Sequence, residues 1–563
     1  MSAAIVGNAS LSRFDVIIVG SGAGGSAAAS ILCANGLRVL VLESGPNRFL
    51  GLDDPSPGMP TSTYANDDLK LGHRGFLRQH PTVDPRTFRS DESRVRDVVG
   101  DVNGLPRTVG GGTVHADMKA PRFAPADFQL GTLLGDVTGA AFADWPVGYD
   151  ALEPFYAYAE GVMGVQGLAG SNPFDPRRSA PYPMPPGVPM YLAERLAAGA
   201  RALGYHPHPQ PSAITSRPYQ GRPACVDCGF CSDFGCATNA KGSAAVTTLR
   251  RALLTGKCQL HPETRVVRLV LSSTGTSVAG VEALGPAGER LSFTADRFIL
   301  AAGPIEDARL LLLSDPGGKG VGNSSGLVGR NLMFHLQTVA LGVFPERLHG
   351  HRGRTVTHGM TDFRGVPGDP NHPLGGIVEF SPGRFPIEEA MVYRTIGVRM
   401  KALLRQSPLR DHLATLVLHG EDAPRAGNRV DLDPAVVDLD RLPVARITYQ
   451  NHAFELGARA FYGPRMLRVL GAAGARWGFL APIDVPPRTR HVMGTLRFGK
   501  DPTASVCDPT GRFHDVGNLY AVDGALFPSS SGFPPTLTIT ALAIYVAGGM
   551  VCPGSPERVL SAA

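Results

Sequence analysis

The fold is decided by residues 14–45, FDVIIVGSGAGGSAAASILCANGLRVLVLESG. Asp15–Val19 is a short, β-branched apolar run, which predicts a buried parallel strand. A glycine-rich turn follows at once, and the Ala-rich segment Ser26–Asn35 predicts a helix that ends at a glycine. Leu37–Leu42 predicts a second strand. A strand, a glycine turn, a helix and a strand in this order indicate a βαβ unit that binds a dinucleotide.

The spacing of the glycines supports this interpretation. Gly20 permits a tight turn, Gly22 lets the backbone approach a pyrophosphate, and Gly25 lets the helix pack closely on the strand. The N-terminus of the predicted helix offers free N–H groups and a partial positive charge to the phosphates. Glu43 stands 18 positions after Gly25 and is suited to accept hydrogen bonds from ribose hydroxyls. The pattern by itself leaves FAD and NAD open.

Composition limits the class of protein. A chain of 563 residues is too long for one ordinary core, so more than one domain is expected. The net charge of +5 is small for this length and shows no basic block, which argues against a nucleic-acid partner. Met1–Arg13 lacks a basic head followed by an apolar core, and the apolar segment Leu537–Val551 is short and contains Thr and Gly. We therefore expect a cytoplasmic protein without a membrane partner, and we expect 537–551 to be a buried helix.

The order of strands and helices predicts an α/β protein. The apolar run 298–303 leads into Gly-Pro and a Leu-rich helix, which indicates a second crossover in the same sheet as the first strand. Residues 331–487 differ in character, with scattered histidines and strand-like runs such as 375–380. We predict a Rossmann-type nucleotide-binding domain over 10–330, a substrate domain built on a β-sheet over 331–487, and a return to the first domain over 488–556.

Several further motifs occur in a fixed order along the chain. They are the N-terminal fingerprint, Val109–Thr113, Trp145–Tyr149, Ala301–Glu306, Gly326–Asn331, His491–Thr495, Asn518–Gly524 and Pro535–Ile539. In these motifs the chain resembles the glucose–methanol–choline (GMC) flavin oxidoreductases, which use FAD to oxidise alcohols. The resemblance implies FAD as the cofactor, a small-molecule alcohol as the substrate, and oxygen or an unidentified redox partner as the electron acceptor.

The resemblance also implies roles for individual residues. His491 would be the catalytic base facing the flavin ring. The ADP half of FAD would be held at Gly20, Gly22, Ala23, Gly25 and Glu43. Val266 would meet the adenine through its backbone. The flavin, ribityl and pyrophosphate region would be lined by Gly111, Gly112, Thr113, His115, Asp523, Gly524, Pro535 and Thr536.

The chemistry of alcohol oxidation supports the assignment of His491. A flavin takes a hydride, so a separate group must take the hydroxyl proton, and histidine suits that task. The alternative is a loop histidine that only packs beneath the sheet. Members of the family usually carry a second catalytic His or Asn just before a proline, and here that position is Pro534, which offers no polar side chain. Either His491 works alone, or another group such as His335 or Tyr393 reaches it.

Two further features leave alternatives open. In some relatives with a similar glycine loop, the histidine at the place of His115 is bonded covalently to the flavin, whereas in others it only contacts FAD. Cys225, Cys228, Cys231 and Cys236 lie within twelve residues, a density that suits zinc or an iron–sulfur cluster, but the spacing matches no usual pattern for either. We expect no metal, and structural thiols or one disulfide instead.

The sequence thus predicts an FAD-dependent alcohol oxidase or dehydrogenase acting on CH–OH groups. Histidine- and arginine-rich loops and pyranose-oxidising relatives favour a polar substrate, such as a sugar, a glycoside or an aminocyclitol. The alternatives are a long-chain or aromatic alcohol, or a non-redox lyase that keeps FAD on the same fold. The C-terminal motifs argue against an NAD-dependent dehydrogenase.

Overall fold

Two β-sheets with separate apolar cores position the site. The structure is a computed structural model, and the residues that it describes are 14–56, 58–63, 84–100, 102–229, 231–232, 234–350, 352–382, 397–406 and 411–561. The first sheet, here called the nucleotide sheet, contains the N-terminal strand. The second, here called the substrate sheet, is formed mainly by residues 336–480.

The nucleotide sheet consists of five parallel strands. In spatial order they are Leu519–Ala521, Ala295–Leu300, Phe14–Val19, Val39–Leu42 and Cys258–His261. The side chains of Val16, Ile17 and Ile18 are fully buried, as expected for a central strand covered on both faces. The predicted βαβ unit and the second crossover into the same sheet are confirmed, and with them the α/β fold class.

The first helix, Ala23–Ala34, begins three residues before the predicted start, so the last glycines of the turn lie in its first turn. A Cβ atom on Gly25 would lie 2.1 Å from the carbonyl oxygen of Gly20, so only glycine permits this contact between helix and strand. The helix Thr536–Val551 packs against the first helix and is buried, as predicted. Among the described residues, we find no helix of the length and apolarity that a membrane span requires.

The substrate sheet consists of six antiparallel strands. In spatial order they are Trp477–Leu480, Leu336–Val343, Leu413–Gly420, Val378–Pro382, His358–Met360 and His208–Pro209. Burial alternates along Leu336–Val343, because one face of this strand packs under the helix Ala453–Ala472; the helix Tyr191–Ala202 covers the strands Val378–Pro382 and His358–Met360. The shortest strand lies well before residue 331, so the second sheet draws on both predicted segments, and the division into domains stays a prediction.

The remaining elements flank these two sheets. A four-stranded sheet is formed by Arg429–Val437, Pro443–Thr448, Arg86–Arg89 and Val98–Gly100, a three-stranded sheet by Arg265–Leu271, Val278–Leu284 and Arg290–Phe293, and a two-stranded sheet by Phe49–Leu50 and Thr61–Ser62. The other α-helices in the described ranges are Leu130–Leu134, Tyr149–Met163, Arg250–Leu254, Pro304–Ser314 and Gly397–Gln406.

Candidate active site

A cavity of about 520 Å³ extends from the nucleotide sheet to the substrate sheet. At one end it is bordered by the carboxyl ends of parallel strands, where ligands of open α/β sheets bind. It is lined by nearly all the residues that the sequence singled out, namely Gly20, Gly22, Ala23, Glu43, Gly111, Gly112, Thr113, His115, Val266, His491, Asp523, Gly524, Pro535 and Thr536. Gly25 is the exception, because it packs between helix and strand.

The glycine turns leave room for a ligand backbone. A Cβ atom built on Gly22 or on Gly112 would meet no protein atom within 4 Å, and both residues line the cavity. Any side chain at these positions would therefore occupy cavity space. The helix that starts at Ala23 has no side-chain cap at its N-terminus, which leaves its positive end facing the same space. The arrangement fits a dinucleotide pyrophosphate, the part of FAD for which the sequence predicted these residues.

Glu43 is held rigidly at the border of the cavity. Its Oε2 atom accepts hydrogen bonds from the backbone N–H and the hydroxyl of Ser21, at 3.0 and 2.6 Å, and its Oε1 atom accepts one from Gly45 N–H at 2.8 Å. Burial raises the pKa of the carboxyl, and these hydrogen bonds offset part of that rise. The position suits a carboxylate that orients a ribose, which stays a prediction.

A second group of backbone donors surrounds Asp523. Its Oδ2 atom accepts a hydrogen bond from Gly303 N–H at 2.8 Å, and its Oδ1 atom accepts one from Ala525 N–H at 2.9 Å. Burial and the neighbouring Asp523 raise the pKa of Asp307 well above its usual range. The helices that begin at Pro304 and Thr536 also lack side-chain caps and start at the cavity. These features fit the rest of a bound FAD.

Three imidazole rings meet at the other end of the cavity. The ring nitrogens of His335, His419 and His491 offer ligand atoms that all lie within 4.8 Å of one another. His335 Nδ1 lies 2.9 Å from His491 Nδ1, and His335 Nε2 lies 3.1 Å from the carbonyl oxygen of Ser530. The sequence prediction that His335 reaches His491 agrees with this contact. Tyr393, the other proposed partner, lies outside the described residues.

The hydrogen bonds determine the tautomers, which we infer from the partners. A carbonyl oxygen only accepts, so His335 Nε2 carries its proton and donates to Ser530. Neutral His335 then has an acceptor at Nδ1, which receives the Nδ1–H of His491. His491 therefore keeps an unprotonated Nε2, the atom that a general base needs.

Burial keeps both rings neutral. Burial, aided by His419, lowers the pKa of His335 to about 3. Burial also lowers the pKa of His491 well below its usual value, with further lowering by His419, His335 and Lys119. Near neutral pH, His491 is thus present in the form that accepts a proton.

The sequence did not single out His419, which it left among scattered histidines. Its ring is 2% exposed, and Nε2 lies 3.0 Å from Glu379 Oε2, on the neighbouring strand of the substrate sheet. Lys119 also contacts this carboxylate and lies 3.1 Å from Asp117. The sequence offered one indication of this contact, because His419 and Glu379 are polar residues within otherwise apolar strands. Only the pairing of the two strands shows that they meet.

The other two open features have different outcomes. His115 is buried and lines the cavity, and the question of a covalent link stays a prediction. All eight cysteines are free thiols, so the alternative of a disulfide within the cysteine cluster does not hold. Within the described part of the chain, the set of three or more side chains that converges like metal ligands is the histidine group, and Cys225, Cys228, Cys231 and Cys236 form no such set.

Comparison with known proteins agrees with this arrangement. Two family models described as GMC oxidoreductase match residues 188–337 and 424–543, and one described as NAD(P)-binding Rossmann-like domain matches 18–76. The 6'''-hydroxyparomomycin C oxidase of Streptomyces lividus is 31% identical, over 94% of this chain and 90% of the relative. The fructose dehydrogenase large subunit of Gluconobacter japonicus is 28% identical, over 95% and 97%.

Solved structures share the fold. Pyridoxine 4-oxidase from Mesorbium loti superposes with a TM-score of 0.63 at 19% identity, covering 95% of this chain and 98% of that one. A formate oxidase structure gives a TM-score of 0.63 at 15% identity, covering 98% of both chains. Together with the family models and the relatives, the motifs and the cavity lead to one conclusion: the chain belongs to the GMC oxidoreductase family, whose members use FAD to act on CH–OH groups.

Proposed function

We propose that the protein oxidises a hydroxyl group of a polyhydroxylated, sugar-like compound, with His491 as the base that takes the hydroxyl proton. The observation that carries this proposal is the hydrogen-bond chain from Ser530 through His335 to His491. That chain leaves one neutral imidazole nitrogen without a proton at the cavity. When bound, FAD supplies the two-electron acceptor for the hydride of the carbinol carbon.

The residues of the chain divide the remaining tasks. The glycine turns and the uncapped helix N-termini hold the pyrophosphate, and Glu43 orients a ribose. His491 Nε2 accepts the hydroxyl proton, and His335 keeps the ring in the required tautomer. The neighbouring rings of His335 and His419 are buried, which limits the access of water to His491 from that side.

The side chains around His491 favour a polar substrate. Asp117, Lys119, Ser232, Gln337 and Arg490 line this end of the cavity. Among the described residues that line the cavity, there is no Phe, Tyr or Trp to pack against an aromatic or long apolar alcohol. The names of the relatives, an oxidase of 6'''-hydroxyparomomycin C and a fructose dehydrogenase, point the same way. We therefore prefer a sugar, a glycoside or an aminocyclitol as the substrate.

Anaerobic flavin reduction tests this proposal. The purified, FAD-loaded protein is mixed without oxygen with a panel of monosaccharides, glycosides, aminocyclitols, benzyl alcohol and 1-hexanol, and the flavin absorbance is followed. We expect bleaching by polyols and little by the apolar alcohols. Bleaching only by the apolar alcohols would contradict the substrate class, and no bleaching by any alcohol would favour the non-redox lyase. Admission of air then separates an oxidase from a dehydrogenase with another acceptor.

The cytoplasmic location stays part of this proposal.

A further inference from the structure

We propose that His419 is a second catalytic histidine, which donates a hydrogen bond from Nδ1 to the substrate oxygen in place of the side chain that Pro534 lacks. The proposal rests on the proposed function, since it concerns the same alcohol. In this proposal the second hydrogen bond to the substrate oxygen comes from the substrate sheet, whereas members of the family usually supply the second catalytic residue from the C-terminal motif.

The C-terminal motif does not supply the group. Pro534 lines the cavity but has no polar side-chain atom. His335 does not supply it either, because both of its nitrogens are used, one by Ser530 and the other by His491. If the substrate oxygen receives a second polar contact, that contact therefore comes from elsewhere in the cavity.

His419 occupies a suitable place. It lines the cavity, and the centre of its ring lies 5.0 Å from that of His491. It is 2% exposed, yet neither ring nitrogen makes a hydrogen bond among the residues that the structure describes, and Nε2 only lies at ion-pair distance from Glu379. A buried ring nitrogen without a partner is costly, so a ligand that provides one would be favoured here.

The surroundings of His419 suit a donor. Nε2 lies 3.0 Å from Glu379 Oε2, an ion-pair contact, so of the two ring nitrogens we assign Nδ1 to the substrate oxygen. Glu379 in turn contacts Lys119, which lies 3.1 Å from Asp117. A ring that donates from both nitrogens carries a positive charge, and the Glu379 carboxylate beside Nε2 provides the negative charge that such a donor requires.

The reaction then follows with atoms and electrons balanced. The hydroxyl proton of the substrate goes to His491 Nε2, the hydride of the carbinol carbon goes to the flavin, and a carbonyl group forms. His419 transfers no proton in this step. Its Nδ1–H stabilises the negative charge that develops on the substrate oxygen, and such a donor contributes about 10²–10³-fold in rate.

A matched pair of substitutions tests the position of the donor. In His419→Asn the amide group takes roughly the place of Nδ1, whereas in His419→Gln it takes roughly the place of Nε2. We expect the rate constant of anaerobic flavin reduction to fall about 100-fold in His419→Gln and less than about 10-fold in His419→Asn. The substrate Kd, obtained from the concentration dependence of that rate, should change less than about threefold. His208→Gln serves as the control, since His208 is buried in the same sheet but does not line the cavity.

Several outcomes would overturn the proposal. Wild-type reduction rates in His419→Gln, or equal losses in both variants, would do so. If both variants fail to bind FAD, Glu379→Gln decides, because it keeps the imidazole and removes its counter-charge. We expect about tenfold slower reduction with FAD retained, and an unchanged rate would refute a role for the pair. If the wild-type protein is reduced by no polyol, the proposed function fails first, which is a separate result.

Discussion

The two ends of the cavity are built in different ways. At the nucleotide end, a single stretch, residues 14–45, supplies a strand, a turn, the start of a helix and a carboxylate. At the imidazole end, His335, His419 and His491 come from three distant segments, and their contacts depend on sheet pairing and on a C-terminal loop. Local sequence specifies the first end, and tertiary structure assembles the second.

The two ends also differ in what the side chains contribute. The nucleotide end works through the absence of side chains at Gly22 and Gly112, and through backbone N–H groups. The imidazole end works through ring nitrogens whose protonation is controlled by burial and by their partners. Substitutions should therefore separate FAD binding from flavin reduction, and four predictions test that separation.

The largest effect should come from His491→Ala. Removal of the base is expected to lower the rate constant of flavin reduction by about 10³-fold, or about 4 kcal/mol in the activation barrier. FAD content should stay as in the wild type, because the residue lies at the imidazole end. Stopped-flow reduction without oxygen measures the rate, and absorbance measures the FAD content. His372→Ala, at a largely exposed histidine, is the control. Full activity in His491→Ala would place the base elsewhere.

The next prediction concerns Gly25 and Gly22, two glycines of the same turn, whose substitution should affect stability and FAD affinity, respectively. In Gly25→Ala the new Cβ would lie 2.1 Å from the carbonyl oxygen of Gly20, so we expect a loss of about 3 kcal/mol in stability. In Gly22→Ala the Cβ meets no protein atom within 4 Å and instead enters the cavity. FAD affinity should then fall about 100-fold, while the Tm of the apoprotein changes little. Titration with FAD and thermal unfolding of both apoproteins measure the two quantities. The reverse pattern would contradict the assignment.

This contrast explains how much the sequence could predict. The parallel sheet, the first helix and the buried C-terminal helix follow from apolar runs and glycine spacing, which are local signals. His491 was found through a motif. His419 was not, because its significance depends on Glu379 in the neighbouring strand, 40 positions earlier in the sequence. The short strand His208–Pro209 was missed for a different reason, since two residues carry no periodicity.

A smaller effect on flavin reduction is expected from substitutions of His335, whose ring accepts the hydrogen bond from His491. His335→Leu removes the acceptor for His491 Nδ1–H, so the ring loses its fixed tautomer and flavin reduction should slow about 30-fold. His335→Asn offers a carbonyl oxygen near the same place and should slow it less than about fivefold. FAD content should be unchanged in both. If Asn and Leu are equally slow, the acceptor at this position does not position His491.

The smallest effect is a loss of folding stability at acidic pH. Burial and His419 lower the pKa of His335 in the folded protein to about 3, from an ordinary value of 6.5. As the pH falls below 6.5 the unfolded chain binds the proton first, so the stability present above that pH is progressively lost down to about pH 3. Between pH 7 and pH 6, His335 alone adds roughly 0.7 kcal/mol to the loss of stability, so the loss should be smaller by about that amount in His335→Asn than in the wild type. Thermal unfolding at both pH values measures the difference. Equal changes of Tm in the two proteins would mean that folding does not hold this ring neutral, and the tautomer assigned to His491 would lose its support.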